Sequence, residues 1–120
     1  MNDLLKGIRL SGPLTAIAAL AANAVAVYTR SVGFMGTRSQ IVRKIMIYNN
    51  AAGNTFVHFG TGIPGVDVLP PVMSVNNIDM ELDELNIPAV EFFANITSWC
   101  DAIVGGGVID VQIEVEERGG

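Results

Sequence analysis

The sequence predicts an all-β fold, an antiparallel β-sandwich or jelly-roll with an extended N-terminal arm. Three observations predict it. Short segments alternate apolar and polar residues with the two-residue period of a half-buried strand. Clusters of Asn, Gly and Pro punctuate the chain at roughly the 8–12-residue spacing of all-β domains. Half of the 120 residues are apolar and there is one cysteine, which excludes disulfide-stapled and disordered classes. The length suits one domain, residues 13–120, behind an arm of residues 1–12.

The elements follow in order. The arm carries mixed charge and ends in Ser11-Gly12-Pro13. Residues 14–28 are ambiguous. Leu14, Ile17, Ala21, Val25 and Tyr28 fall on a helical stripe that Ser11 would cap and Pro13 would open. Val25, Val27 and Tyr28 instead favour a strand. The extended reading is preferred because all that follows is β-like, and a short helix at 14–28 is the alternative. Residues 1–26 also imitate a secretory leader, with Lys6 and Arg9 before an apolar run. That run is short, Ala-rich and interrupted by Asn23, so no membrane anchor is expected.

Ser39 to Tyr48 reads as a strand, with Ile41, Arg43, Ile45 and Ile47 on one face and Val42, Lys44, Met46 and Tyr48 on the other. Asn49 to Asn54 is a turn and Thr55 to Phe59 the return strand, which predicts a hairpin over 39–59. A loop follows to Pro71, then a short strand from Val72 to Val75. Ile78, Met80 and Leu82 alternate with Asp79, Glu81 and Asp83. Val90 to Trp99 alternates as one further strand. Gly105-Gly106-Gly107 is a turn. Val108 to Glu116 has the cleanest pattern, with Ile109, Val111, Ile113 and Val115 inside. About seven strands result.

Charged residues make up 16% of the chain, against roughly 25% in an ordinary soluble domain. Some of the surface must then be apolar or neutral, which marks an interface. The net charge of −5 hides an asymmetry. Residues 1–50 hold Lys6, Arg9, Arg30, Arg38, Arg43 and Lys44 against Asp3 alone; the rest holds Arg118 and all other acids. Halves of opposite sign can neutralise each other within the fold or pair between subunits. The acidic total excludes a generic nucleic-acid footprint.

Chemical motifs are weak. Gly60-Thr61-Gly62-Ile63-Pro64-Gly65 matches the dinucleotide fingerprint, but Pro64 and the following prolines forbid the helix that would hold a phosphate. Asp79, Glu81, Asp83 and Glu84 are hard oxygen ligands, yet lack the spacing of a calcium loop; a solvated sheet edge is the favoured reading. His58 is the single histidine and is expected to be structural or interfacial. Cys100, beside Trp99, is expected to be a small buried residue. Asn95-Ile96-Thr97 is a glycosylation sequon placed in a predicted strand. Trp99, Phe92, Phe93, Phe56 and Phe59 suit a sandwich core better than a sugar-binding platform. No enzyme, cofactor or metal is therefore predicted.

The stretch Ile41-Val42-Arg43-Lys44-Ile45-Met46-Ile47-Tyr48-Asn49-Asn50, with Phe56-Val57-His58-Phe59-Gly60-Thr61-Gly62, carries a resemblance. So do Leu85 to Phe93 and Val111 to Glu117. Over residues 39–117 the chain resembles small β-sandwich accessory proteins of tailed-phage virions, of the head decoration or cement kind. The resemblance implies a viral structural protein that binds and stabilises the major capsid protein lattice. It would act as a homo-oligomer, a trimer or higher, in a virion assembled in the host cytoplasm. It implies no partnership with nucleic acid or membrane. Contacts between subunits are then expected from Leu4, Leu5, Lys6, Ile8, Arg9, Leu10, Leu14, Ile17, Arg30 and Arg38. The alternative is a tail- or fibre-associated sandwich that binds a receptor or carbohydrate.

Overall fold

The computed structural model describes residues 8–17, 19–30, 39–61 and 68–118. They form two antiparallel sheets packed face to face, a β-sandwich. The first sheet is built on β10 (Ile109–Arg118) and β4 (Ser39–Tyr48), paired along their whole length. Two short strands, β1 (Ile8–Ser11) and β2 (Thr15–Ile17), lie end to end along the free edge of β10. Likewise β7 (Asp79–Leu82) and β8 (Glu91–Phe92) share the free edge of β4. The second sheet has the order β3 (Val25–Tyr28), β9 (Ile96–Cys100), β5 (Thr55–Thr61) and β6 (Leu69–Ser74).

The core follows from alternation. Ile109, Val111, Ile113 and Val115 on β10 and Ile45 and Ile47 on β4 point inward and are fully buried. Val27, Val57, Phe59, Ile96 and Cys100 meet them from the second sheet. Burying each such aliphatic side chain contributes about 1.5–3 kcal/mol.

The described residues of 14–28 are extended, as preferred, but broken: β2, a single 3-10 turn at Ala21–Asn23, then β3. The end of the arm is docked, because Ile8–Ser11 pairs with β10. Gly12 joins β1 to β2 where the chain passes close to the second sheet. A Cβ there would stand 2.5 Å from the carbonyl oxygen of Val27.

Three expectations are corrected. The hairpin over 39–59 does not form, since β4 and β5 lie in different sheets. The turn at 49–54 carries the chain across the sandwich, because Val57 and Phe59 fill the core from the side opposite Ile45 and Ile47. The single strand over 90–99 is two strands: β8 pairs β4 in the first sheet, whereas β9 pairs β3 and β5 in the second. The face assignment in β4 holds only for its second half. A β-bulge between Val42 and Lys44 inserts Arg43 and reverses the alternation. Val42, Ile45 and Ile47 therefore share the core, while Ile41 is buried outside it. A smaller departure is that β6 includes Pro70 and Pro71, tolerated because β6 is an edge strand.

Candidate interaction surface

The two outer faces of the sandwich differ in chemistry. That of the first sheet carries the charge. Arg9 Nη2 lies 2.8 Å from Glu84 Oε1 and Arg9 Nη1 lies 3.3 Å from Glu114 Oε1. Arg43 Nε donates to Glu116 at 3.0 Å, Arg118 Nε to the same carboxylate at 2.7 Å, and Lys44 Nζ stands 3.8 Å from Glu81. Three of these bases come from the first fifty residues, and all of the acids come from the last forty. The oppositely charged halves thus neutralise each other inside one chain. The guanidinium of Arg118, then that of Arg43, holds the Glu116 carboxyl below its ordinary value against a smaller opposing effect of burial.

Among the described residues the strands of the second sheet carry no Asp, Glu, Lys or Arg. Phe56 and Met73 are cross-strand neighbours on β5 and β6 and remain 42% and 40% exposed. His58 and Trp99 are directly opposite on β5 and β9, with rings stacked at 3.9 Å and 10° from parallel. His58 Nε2 is 3.0 Å from Asp101 Oδ1, which sits just past the end of β9. His58 thus has one ring face on tryptophan and one nitrogen on a carboxylate. Cys100, next in line, faces the core. Burial, then the neighbouring Asp101, pushes its thiol pKa up and keeps it in the inert protonated form.

One end of the sandwich gathers residues 19–24, 49–54, 75–78 and 101–108. These loops hold a single charged residue, Asp101. They are tied together by backbone hydrogen bonds: Leu20 N to Cys100 O at 3.0 Å, Asn77 N to Asn49 O at 2.7 Å, and Ala52 N to Gly106 O at 3.2 Å. The Asn49 side chain adds bonds to Gly53 O and Ser74 O. From this end Leu20, Ile78, Val104 and Val108 project with 50–85% of their surface exposed. Exposed apolar groups on a hydrogen-bonded, charge-poor scaffold lose little conformational entropy on contact, which suits docking on another surface.

The expected contact residues scatter. Leu4, Leu5, Lys6 and Arg38 lie outside the described residues, as do Gly62 to Gly65 of the glycine motif. Ile8 is the first residue of β1. Arg9 is bound to two carboxylates of its own chain. Leu10 and Leu14 are exposed along the β1–β2 edge. Ile17 is fully buried in its own core, which removes it from any contact with a neighbour. The Arg30 backbone N–H donates to Asn95 Oδ1 at 2.7 Å, fixing the end of β3.

The acidic quartet is dispersed. Glu81 and Glu84 are paired with Lys44 and Arg9, and Asp83 accepts from the backbone of Leu85. Among the described residues no group of three or more His, Cys, Asp or Glu is placed to hold a metal. The five aromatics divide too. Phe59 is core, Phe92 packs on the core edge, Phe93 is exposed, and Phe56 and Trp99 lie on the outer face. Sequence reasoning missed Leu20, Phe56, Met73, Ile78, Val104 and Val108 as surface. The available signal was local: apolar residues set among Ala, Asn and Gly with almost no charge nearby.

No family model matches the chain, and no curated protein matches its sequence.

Proposed function

We propose that this is a non-enzymatic virion structural protein, a head decoration or cement subunit that binds the major capsid protein lattice and itself. The observation that supports it most is the charge-poor loop end, where four apolar side chains project from a hydrogen-bonded frame. The resemblance of residues 39–117 to phage decoration sandwiches gives that surface its partner. Internal pairing of Arg9, Arg43 and Lys44 supports docking by apolar contact rather than by salt bridges. Many copies on a lattice make modest single contacts sufficient.

Co-sedimentation with capsids lacking the protein, from the virus that encodes it, tests the proposal. Saturable binding is expected, strongly reduced by Ile78→Glu with Val104→Glu and retained by Arg9→Ala. Absence of binding by the unaltered protein would overturn it.

A further inference from the structure

The outer face of the first sheet contains a depression of about 330 Å³, lined by Leu14, Tyr48, Asn50, Asp79, Asp110 and Gln112. Its floor is a cross-strand row. Asp110 on β10 is in register with Tyr48 on β4, and Tyr48 is in register with Asp79 on β7. One aromatic ring therefore lies between two carboxylates carried on the flanking strands, whose backbones are roughly 10 Å apart.

The charge pattern makes this row unlike the rest of the face. Glu81, Glu91, Glu114 and Glu116 each have a basic partner in the chain. Asp79 and Asp110 have none among the described residues. The nearest basic residue that β4 presents on this face, Lys44, lies four positions along the strand and is paired with Glu81, and Arg43 beyond it is paired with Glu116. Gln112 uses its Nε2 to donate to Gly12 O at 3.0 Å, which leaves its oxygen as the free end of the amide. Two carboxylates, an amide oxygen and a π face are acceptors, and the Asn50 amide and the Tyr48 hydroxyl add donors beside them. With two carboxylates that lack a basic partner among the described residues, such a set favours a cationic donor over neutral sugar hydroxyls. It is well matched to a planar group that carries only donors and stacks on aromatic rings. A cation over the face of Tyr48 would stand within the roughly 6 Å of a cation–π contact, with a carboxylate to either side.

We infer that the Asp79–Tyr48–Asp110 depression is a binding site for a guanidinium group, held by the two carboxylates and stacked on the tyrosine. The group can arrive on a partner's arginine or on a small free molecule. The inference does not rest on the docking proposal: the depression borders the loop end through Asn50, but its evidence is the carboxylate–tyrosine row and not the exposed apolar side chains.

Titration of the isotopically labelled protein with agmatine at low salt, followed by amide and side-chain NMR shifts, tests it. Shifts are expected to saturate and to concentrate at Tyr48, Asn50, Asp79, Asp110 and Gln112. Asp79→Asn with Asp110→Asn should weaken binding at least tenfold, and Tyr48→Leu should weaken it while leaving the spectrum folded. Galactose should leave the same resonances unmoved. A capped Gly-Arg-Gly peptide that binds more tightly than agmatine would point to a protein partner; equal binding would point to the free group. Shifts spread evenly over Glu81, Glu91 and Glu114, or unchanged in the double variant, would overturn the inference. So would no shift at all, or a response to galactose instead.

Discussion

Tyr28 donates its hydroxyl to Glu117 across the interior of the sandwich. The tyrosine comes from an edge strand of one sheet and the glutamate from β10 at the centre of the other. Both are almost fully buried. A hydrogen bond to a buried carboxylate contributes about 1.5–3 kcal/mol, and removing one partner alone leaves the other desolvated. Tyr28→Phe is therefore expected to lower unfolding stability by that amount in urea denaturation. Tyr28→Phe combined with Glu117→Leu should cost less than the sum of the two single changes.

Gln40 is the neighbour of Glu117 in the β4–β10 register, fully buried, with neither amide atom hydrogen-bonded among the described residues. Burying such a group without partners costs about 1–3 kcal/mol. Gln40→Leu keeps the bulk and removes the polar atoms. It should raise the denaturation midpoint by an amount worth about 1–2 kcal/mol.

Glu116 sets an acid limit. Its folded pKa lies below the unfolded value because Arg118, then Arg43, bonds the carboxylate. The stabilisation is fully present above the unfolded glutamate value and disappears as pH falls through the folded one. Carboxyl NMR should show Glu116 titrating later than ordinary glutamates on acidification. Arg118→Ala should move its midpoint upward and reduce the acid sensitivity of folding.

The loop end depends on its glycines unequally. Gly105 has φ +91, and a Cβ there would meet the Ala52 side chain at 2.7 Å; Gly106 has φ +86 with open space around it. Gly106→Ala should cost about 1 kcal/mol, from backbone strain alone. Gly105→Ala should cost more and should also displace the 49–54 turn, visible as amide shifts at Ala51 and Ala52.

Much of this fold was legible in the residues themselves. The alternation in β10 survives intact because Ile109 to Arg118 sits at the centre of a sheet with one dry and one wet face. The alternation in β4 misleads because Arg43 is a bulge, and a bulge depends on the partner strand rather than on local pattern. Alternation cannot say which sheet a strand joins. Thus 39–59 read as a hairpin, and 90–99 read as one strand although it crosses the sandwich near Phe93. The loop end was legible only in pieces: Leu20, Ile78 and the Val104–Val108 segment each stand in locally charge-poor sequence, but they lie far apart along the chain and reach one end only when their three connections converge. The internal neutralisation was half legible, since the charge asymmetry shows in the sequence but Arg9 meeting Glu84 does not.

The first sheet is assembled from opposite extremes of the described chain. Ile8 pairs with Glu117, and β4 depends on β10 for its principal neighbour. None of these ladders is available until residues 109–118 exist, so the nascent chain emerges from the ribosome with β1, β2 and β4 all unpaired along that side. Folding of this kind waits for β10 and is slow, on the millisecond-to-second scale of topologies rich in distant contacts. Premature termination anywhere before β10 would leave several apolar strand edges open at once, a species suited to aggregation rather than to partial function.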